Sequence, residues 1–300
     1  MPKSSIADQL NIFDYPSYEA IPSAKRTWIT IKAKQRGKNP KMVHAGIKAA
    51  MAKRAVLKKT PKNSPTKKIS NKKASKNKGN MYALSVKQWN PFVGCKYDCS
   101  YCKTSFQAQA KRQKQRCIRC YQYTPHTHPE RLTASIPNTE ADEFIFTCSS
   151  GDISFCPTPF LKKIVKRIQE EPQKTFLIQS KNPKTFERVD FPTNVILGVT
   201  LETNRDELYD CVSKAPKPST RYRDFLKVRH PRKMVTIEPV IDFDLDVMVK
   251  WIKQIKPCMV WLGYDSRRND LPEPSDEKFQ NLHRELMKAG IKVKLKTVKG

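Results

Sequence analysis

The chain has 300 residues, enough for one large domain or two small ones. Its 58 Lys and Arg against 28 Asp and Glu give a formal net charge of +30, which favours polyanionic partners, and no apolar run approaches the roughly 20 residues of a membrane helix, so no membrane partner is expected. The nine glycines are never closer than nine positions apart, which excludes a Walker loop and a dinucleotide-binding GxGxxG loop, and the nine cysteines cannot all pair.

The opening MPKSSIADQLNIF lacks the apolar core of a secretory signal, so the expectation is a cytoplasmic, reducing location, where clustered cysteines hold metal or do chemistry. Residues 1–80 hold 20 Lys and Arg against Asp8, Asp14 and Glu19, a net of +17. Within them, 23–36 sets Trp28 among cations, and 40–57 can form a short basic helix with Val43, Ile47, Ala50 and Met51 on one face. The stretch 58–80 has Ile69 as its one sizeable apolar side chain and cannot offset its ordering entropy. We therefore expect a basic, largely disordered N-terminal arm and linker over 1–80, which either binds nucleic acid or only keeps the chain in solution.

From residue 81 to 300 a single core domain is expected. Apolar, β-branched runs at 82–86, 143–147, 175–179, 195–201, 233–237, 259–262 and 291–295 read as strands. Helical stretches at 104–115, 160–170, 206–212, 221–228, 245–255 and 276–289 alternate with them. Such alternation predicts an α/β fold with a mainly parallel sheet, and about 220 residues is short of the roughly 250 of a full eightfold barrel, so the barrel is partial. Chemistry in parallel β/α folds gathers at the carboxyl ends of the strands, which here carry Cys95–Cys102, Ser149–Asp152, Ser180–Asn182, Glu202–Asn204, Glu238 and Gly263–Asp265.

The strongest motif is Cys95-Lys-Tyr-Asp-Cys99-Ser-Tyr-Cys102. Three thiolates at these gaps suit three irons of a [4Fe–4S] cluster whose fourth iron stays open, whereas tetrahedral zinc wants a fourth local ligand. The CxxxCxxC spacing, with Tyr101 before the last cysteine, resembles the signature of the radical S-adenosylmethionine (SAM) superfamily. The segments QWNPFVGC (88–95), FIFTCSSGDISFCP (144–157), TFLIQSKNP (175–183), NVILGVTLETN (194–204), MVTIEPVIDFD (234–244) and MVWLGYDS (259–266) are similar, in the same order, to the phage-associated radical SAM-like group. A more distant similarity is to the spore photoproduct lyase class. Residues 1–80 lie outside the resemblance, and the glycine-rich segment of the group is reduced here to Gly263-Tyr264-Asp265.

The resemblance implies a partial (β/α)6 radical-SAM-type barrel. It implies an enzyme that uses a [4Fe–4S] cluster to cleave SAM into methionine and a 5′-deoxyadenosyl radical. Cys95, Cys99 and Cys102 would ligate the irons, and Tyr101 would pack near the adenine. Ser149, Ser150, Gly151 and Asp152 would meet the amino group of SAM; the plainer role for Asp152 is to cap the helix that follows. Thr200 and Glu202 would reach the ribose or carboxylate, and Glu238 points to the same mouth by fold logic. An electron donor must reduce the cluster, and the charge favours a nucleic-acid or nucleotide-related substrate.

Cys117-Ile-Arg-Cys120, followed by His126 and His128, reads either as a second metal site or as ordinary thiols in a basic loop. Cys148 and Cys156 can join an auxiliary cluster, while Cys211 and Cys258 read as core residues. The competing function is a non-enzymatic, zinc-containing nucleic-acid-binding protein.

Overall fold

A computed structural model describes residues 82–207, 209–296 and 298. The expected basic arm, 1–80, lies outside the described residues. The strands, in chain order, are β1 (Ser85–Trp89), β2 (Phe92–Val93), β3 (His126–Thr127), β4 (Phe144–Thr147), β5 (Phe176–Ser180), β6 (Val195–Thr200), β7 (Lys233–Ile237), β8 (Met259–Leu262) and β9 (Val293–Leu295). The α-helices are α1 (Phe106–Ala110), α2 (Ile118–Gln122), α3 (Thr158–Gln169), α4 (Pro218–Lys227), α5 (Leu245–Ile255) and α6 (Asp276–Lys288).

One sheet runs β1-β4-β5-β6-β7-β8-β9, and every neighbouring pair in it is parallel. It has seven strands, as many as the apolar runs in the sequence, and the run at 291–295 supplies the last of them as β9, paired with β8. The short β2 and β3 form a separate antiparallel ribbon.

Alternation along the strands sorts side chains onto two faces. The face carrying Ile145, Ile178, Leu197, Val235 and Val260 belongs to the larger core, which the helices cover. Helix α3 buries Phe160, Leu161, Ile164, Val165 and Ile168, an i, i+1, i+4, i+5, i+8 stripe that contributes roughly 10 kcal/mol gross before ordering entropy. On the other face Phe144, Phe146, Leu177, Ile196, Met234, Met259 and Trp261 gather around Tyr82.

Tyr82 shows that the sheet is curled. Its ring centroid lies 5.3 Å from that of Phe146 on β4 and 4.9 Å from that of Trp261 on β8. In a flat sheet those strands, four spacings apart, would stand about 19 Å from each other. The Tyr82 hydroxyl also donates to Gln179 Oε1 on β5 at 2.8 Å and lies 2.9 Å from Thr236 Oγ1 on β7. The inner face therefore wraps around one residue, as in part of a barrel, and its polar layer begins directly above the Tyr82 hydroxyl.

The helix expected over 206–212 does not form; among the described residues only a 3-10 turn, Tyr209–Cys211, is present. Asp206 instead accepts from the Ser219 backbone N–H at 3.0 Å, which turns the chain away from a helical path. Cys211 and Cys258 are exposed rather than core, since the first ends that turn and the second precedes β8. No helix among the described residues is long and apolar enough to cross a membrane.

Candidate metal and cofactor centre

The cysteine loop leaves β2 through Gly94, whose φ of +101° favours glycine. A Cβ there would lie 2.4 Å from the Thr124 carbonyl, and one on Gly151 would lie 2.6 Å from the Gly94 carbonyl. Three backbones thus meet where only glycines fit. Gly94 N–H donates to Ser150 O at 3.1 Å and Asp152 N–H donates to Gly94 O at 3.2 Å. The segment 149–152 is thereby stitched to the start of the triad loop.

Residues 212–214 hold the rest of the loop. Ser100 N–H donates to Val212 O at 2.8 Å, Lys214 N–H to Tyr97 O at 2.7 Å, and Cys99 Sγ lies 3.1 Å from Ser213 Oγ. A hydrogen bond from Cys102 lowers the Cys99 thiol pKa against the effect of burial, with help from Lys181 and Ser213. The three sulfurs are close enough to interact electrostatically, and Cys99 and Cys102 share a hydrogen bond.

Beside the triad lies a buried charged network. Glu202, fully buried after β6, accepts at Oε1 from the Tyr101 hydroxyl, from Lys181 Nζ at 2.5 Å and from the Tyr209 hydroxyl at 3.0 Å. Its Oε2 accepts from Arg221 Nη1 at 2.8 Å. Burial alone would raise the Glu202 pKa, but Arg221 and Lys181 hold it well below the usual carboxylate range. Lys181 Nζ also donates to Cys99 Sγ at 3.3 Å and sits 4.6 Å from the centre of the Tyr101 ring. Lys181 favours the thiolate at Cys99, whereas burial and the Asp152 carboxylate raise the Cys95 thiol, and the hydrogen bond to Cys99 and burial raise the Cys102 thiol.

Tyr101, Glu202 and the triad therefore form one constellation. In it Glu202 is engaged by four side chains, and Tyr101 packs under Lys181. Lys181 falls within the strand end 180–182 flagged by the sequence, although nothing there assigned it a role. Arg221 escaped notice, yet it shares a helical face with Pro218 and Phe225, and a cation on an apolar stripe signals a buried partner.

Asp152 accepts at Oδ1 from Ser154 N–H at 3.0 Å and Ser180 Oγ at 2.6 Å, and at Oδ2 from Lys181 N–H at 2.8 Å. It caps the 3-10 turn Ile153–Phe155, while Pro157 stands at the N-cap of α3. Ser149 Oγ donates toward Gln88 Oε1 and Asn90 Oδ1, each at 3.1 Å, and Thr200 Oγ1 accepts from Gln179 Nε2 at 2.6 Å. Glu238 pairs through Oε1 with Lys296 at 2.6 Å, while its buried Oε2 has no hydrogen-bond partner. Burial raises the Glu238 pKa, against the pull of Lys296. Trp261 Nε1, on the concave face, is likewise buried and without a partner.

The second group also comes together. Cys117, Cys120, His126 and His128 offer four donor atoms within 4.8 Å of one another. Cys148 and Cys156 are not among them. Both are buried in the larger apolar core, and burial raises both thiols, Cys156 to about 12.

No curated protein matches the sequence. Among solved structures, a radical SAM methyltransferase from Sphaerobacter thermophilus aligns at 15% identity and a TM-score of 0.43, over 71% of this chain and 65% of that one. A family described as "Protein of unknown function (DUF5131)" matches residues 83–256, more than half of the chain. The chain belongs to the DUF5131 family.

Proposed function

We propose that this protein is a radical SAM enzyme in which Cys95, Cys99 and Cys102 ligate three irons of a [4Fe–4S] cluster. The observation that carries this reading is the placement of three neighbouring thiols, one of them accepting from Lys181, at the carboxyl end of a curled parallel sheet. The chemistry such a cluster supplies when bound is one electron, drawn from an external donor, to the sulfonium of SAM, whose carbon–sulfur bond breaks into methionine and a 5′-deoxyadenosyl radical that takes hydrogen from the substrate.

The chain's own residues would position the reactants. Gly94 and Gly151 fix the loop, Lys181 holds charge beside Cys99, and Glu202 holds Lys181 and Arg221. We assign SAM to the concave mouth between 149–152, Tyr101, Thr200 and Glu238. Unpaired buried polar atoms cost about 1–3 kcal/mol each, and a ligand meeting Glu238 Oε2 and Trp261 Nε1 would recover that cost.

The substrate we propose is nucleic acid or nucleotide-related. The net charge of +30 supports it, as does the exposed set Lys111, Arg112, Lys114, Arg116 and Arg119, with no acidic residue between Asp98 and Glu130. The basic arm 1–80 would add phosphate contacts without specifying sequence.

The test is anaerobic reconstitution with iron and sulfide, then incubation with SAM, a reductant and candidate DNA, RNA and nucleotides. Broad visible absorption, release of 5′-deoxyadenosine and methionine, and deuterium transfer from one substrate are expected. A colourless, zinc-only protein that leaves SAM intact would instead favour the non-enzymatic nucleic-acid-binding reading.

A further inference from the structure

Cys117, Cys120, His126 and His128 lie within twelve residues but on different local elements. Cys117 is the N-cap of α2, Cys120 lies inside it, His126 begins β3 and His128 follows β3. Their donor atoms converge. His126 Nε2 lies 3.4 Å from both Cys117 Sγ and Cys120 Sγ, and His128 Nε2 lies 3.1 Å from Cys120 Sγ. A tetrahedron with zinc–sulfur bonds of about 2.3 Å and zinc–nitrogen bonds of about 2.0–2.1 Å has sulfur–nitrogen edges of about 3.5 Å. The four atoms therefore already stand close to the corners such an ion requires.

The far nitrogens settle the tautomers. His126 Nδ1 is 2.7 Å from the Thr124 carbonyl, which only accepts, so Nδ1 carries the proton and Nε2 keeps its lone pair toward the sulfurs. His128 Nδ1 is 2.7 Å from Glu130 Oε1, a carboxylate–histidine arrangement that orients metal-bound imidazoles. Cys120, His126 and His128 are buried, and four protein donors leave no open position. A closed set of two sulfurs and two nitrogens selects zinc over hard, oxygen-seeking cations, and marks a structural rather than a catalytic ion.

We propose that this group binds one zinc ion, and that the ion fixes the lobe 117–128 against the strand that delivers Cys95. The contacts run directly between them. His126 pairs with Val93 and Thr127 with Phe92 in the ribbon, and His128 N–H donates to Pro91 O at 2.6 Å. Cys95 N–H donates to Tyr123 O at 3.4 Å, and the Thr124–Pro125 backbone fills the space beside Gly94. Zinc binding is independent of what the triad holds; only its consequence for a cluster rests on the function proposed above.

The experiment measures zinc by elemental analysis in full-length protein purified without cluster reconstitution. It compares wild type, a Cys95→Ala/Cys99→Ala/Cys102→Ala variant, and Cys120→Ala. About one zinc per chain is expected in the first two, and none in the third. Cobalt replacing zinc in the triad-free variant should give the intense visible bands of a tetrahedral, thiolate-bound ion. Should Cys120→Ala fail to fold locally, Glu130→Ala serves as a milder variant, expected to weaken zinc retention against a chromogenic chelator by about 10–100-fold. Chelation should also speed hydrogen exchange at the His128 and Cys95 amides. A zinc-free triad variant, or a weakly absorbing octahedral cobalt spectrum, would overturn the proposal. Because that variant lacks the triad, its result stands whether or not the protein cleaves SAM.

Discussion

The two cysteine groups flank Gly94 and use similar ligands, yet they are built on opposite plans. The group at 117–128 closes on itself. Its four donors satisfy one another's geometry, and its outer nitrogens are fixed by a carbonyl and a carboxylate. The triad at 95–102 is open. Its Cys99 leans on side chains from three other segments, Ser213, Lys181 and, through Lys181, Glu202. A saturated donor set stabilises structure, whereas an unsaturated one is suited to hold something that reacts.

Replacing one triad member should have the largest effect. Cys99→Ala is expected to abolish both cluster iron and SAM cleavage while zinc content stays at the wild-type level; iron retained at full stoichiometry would erase the contrast. Next comes the network that only the triad has. Glu202→Gln leaves Lys181 and Arg221 buried without their counter-charge, and removal of one partner from such a group costs about 3–5 kcal/mol. Denaturant unfolding of the variant should show a loss of that order, and a change below about 1 kcal/mol would mean that water already screens the site.

A smaller effect separates binding from reaction. Substituting Lys111, Arg112 and Lys114 together by Ala should weaken nucleic-acid binding. It should also flatten the slope of log K against log salt, by up to about 0.9 for each duplex phosphate that these cations neutralise. Iron and zinc contents should not change. An unaltered slope would place phosphate binding on other cations, the arm among them. The smallest effect expected is that of Cys120→Ala on cluster iron. The triad keeps its three sulfurs, so iron should bind, with cluster loss on dilution only somewhat faster than in wild type.

The strands at 233–237 and 259–262 match residue for residue, the second because burial on both faces leaves a continuous apolar run. The ribbon of β2 and β3 was not, because two-residue strands carry no period to detect. Spacing exposed the triad and the Cys/His group, since their ligands are neighbours in sequence. Lys181, Arg221, Tyr209 and Ser213 were not assigned to the site because tertiary approach alone joins them, and no local pattern distinguishes Arg221 from a surface arginine except its place on an apolar stripe.

Tyr82 lies ahead of the first strand, yet its hydroxyl meets Gln179 and Thr236, 97 and 154 positions away. Contacts of such sequence separation pay loop-closure entropy before they return any stabilisation, and chains dominated by them fold slowly. The strands can pair with their neighbours one after another, but the curl requires β4, β5, β7 and β8 to be in place before Tyr82 can dock among them. Tyr82→Ala should therefore speed unfolding far more than it slows folding, the kinetic signature of a side chain that takes its place after the rate-limiting step.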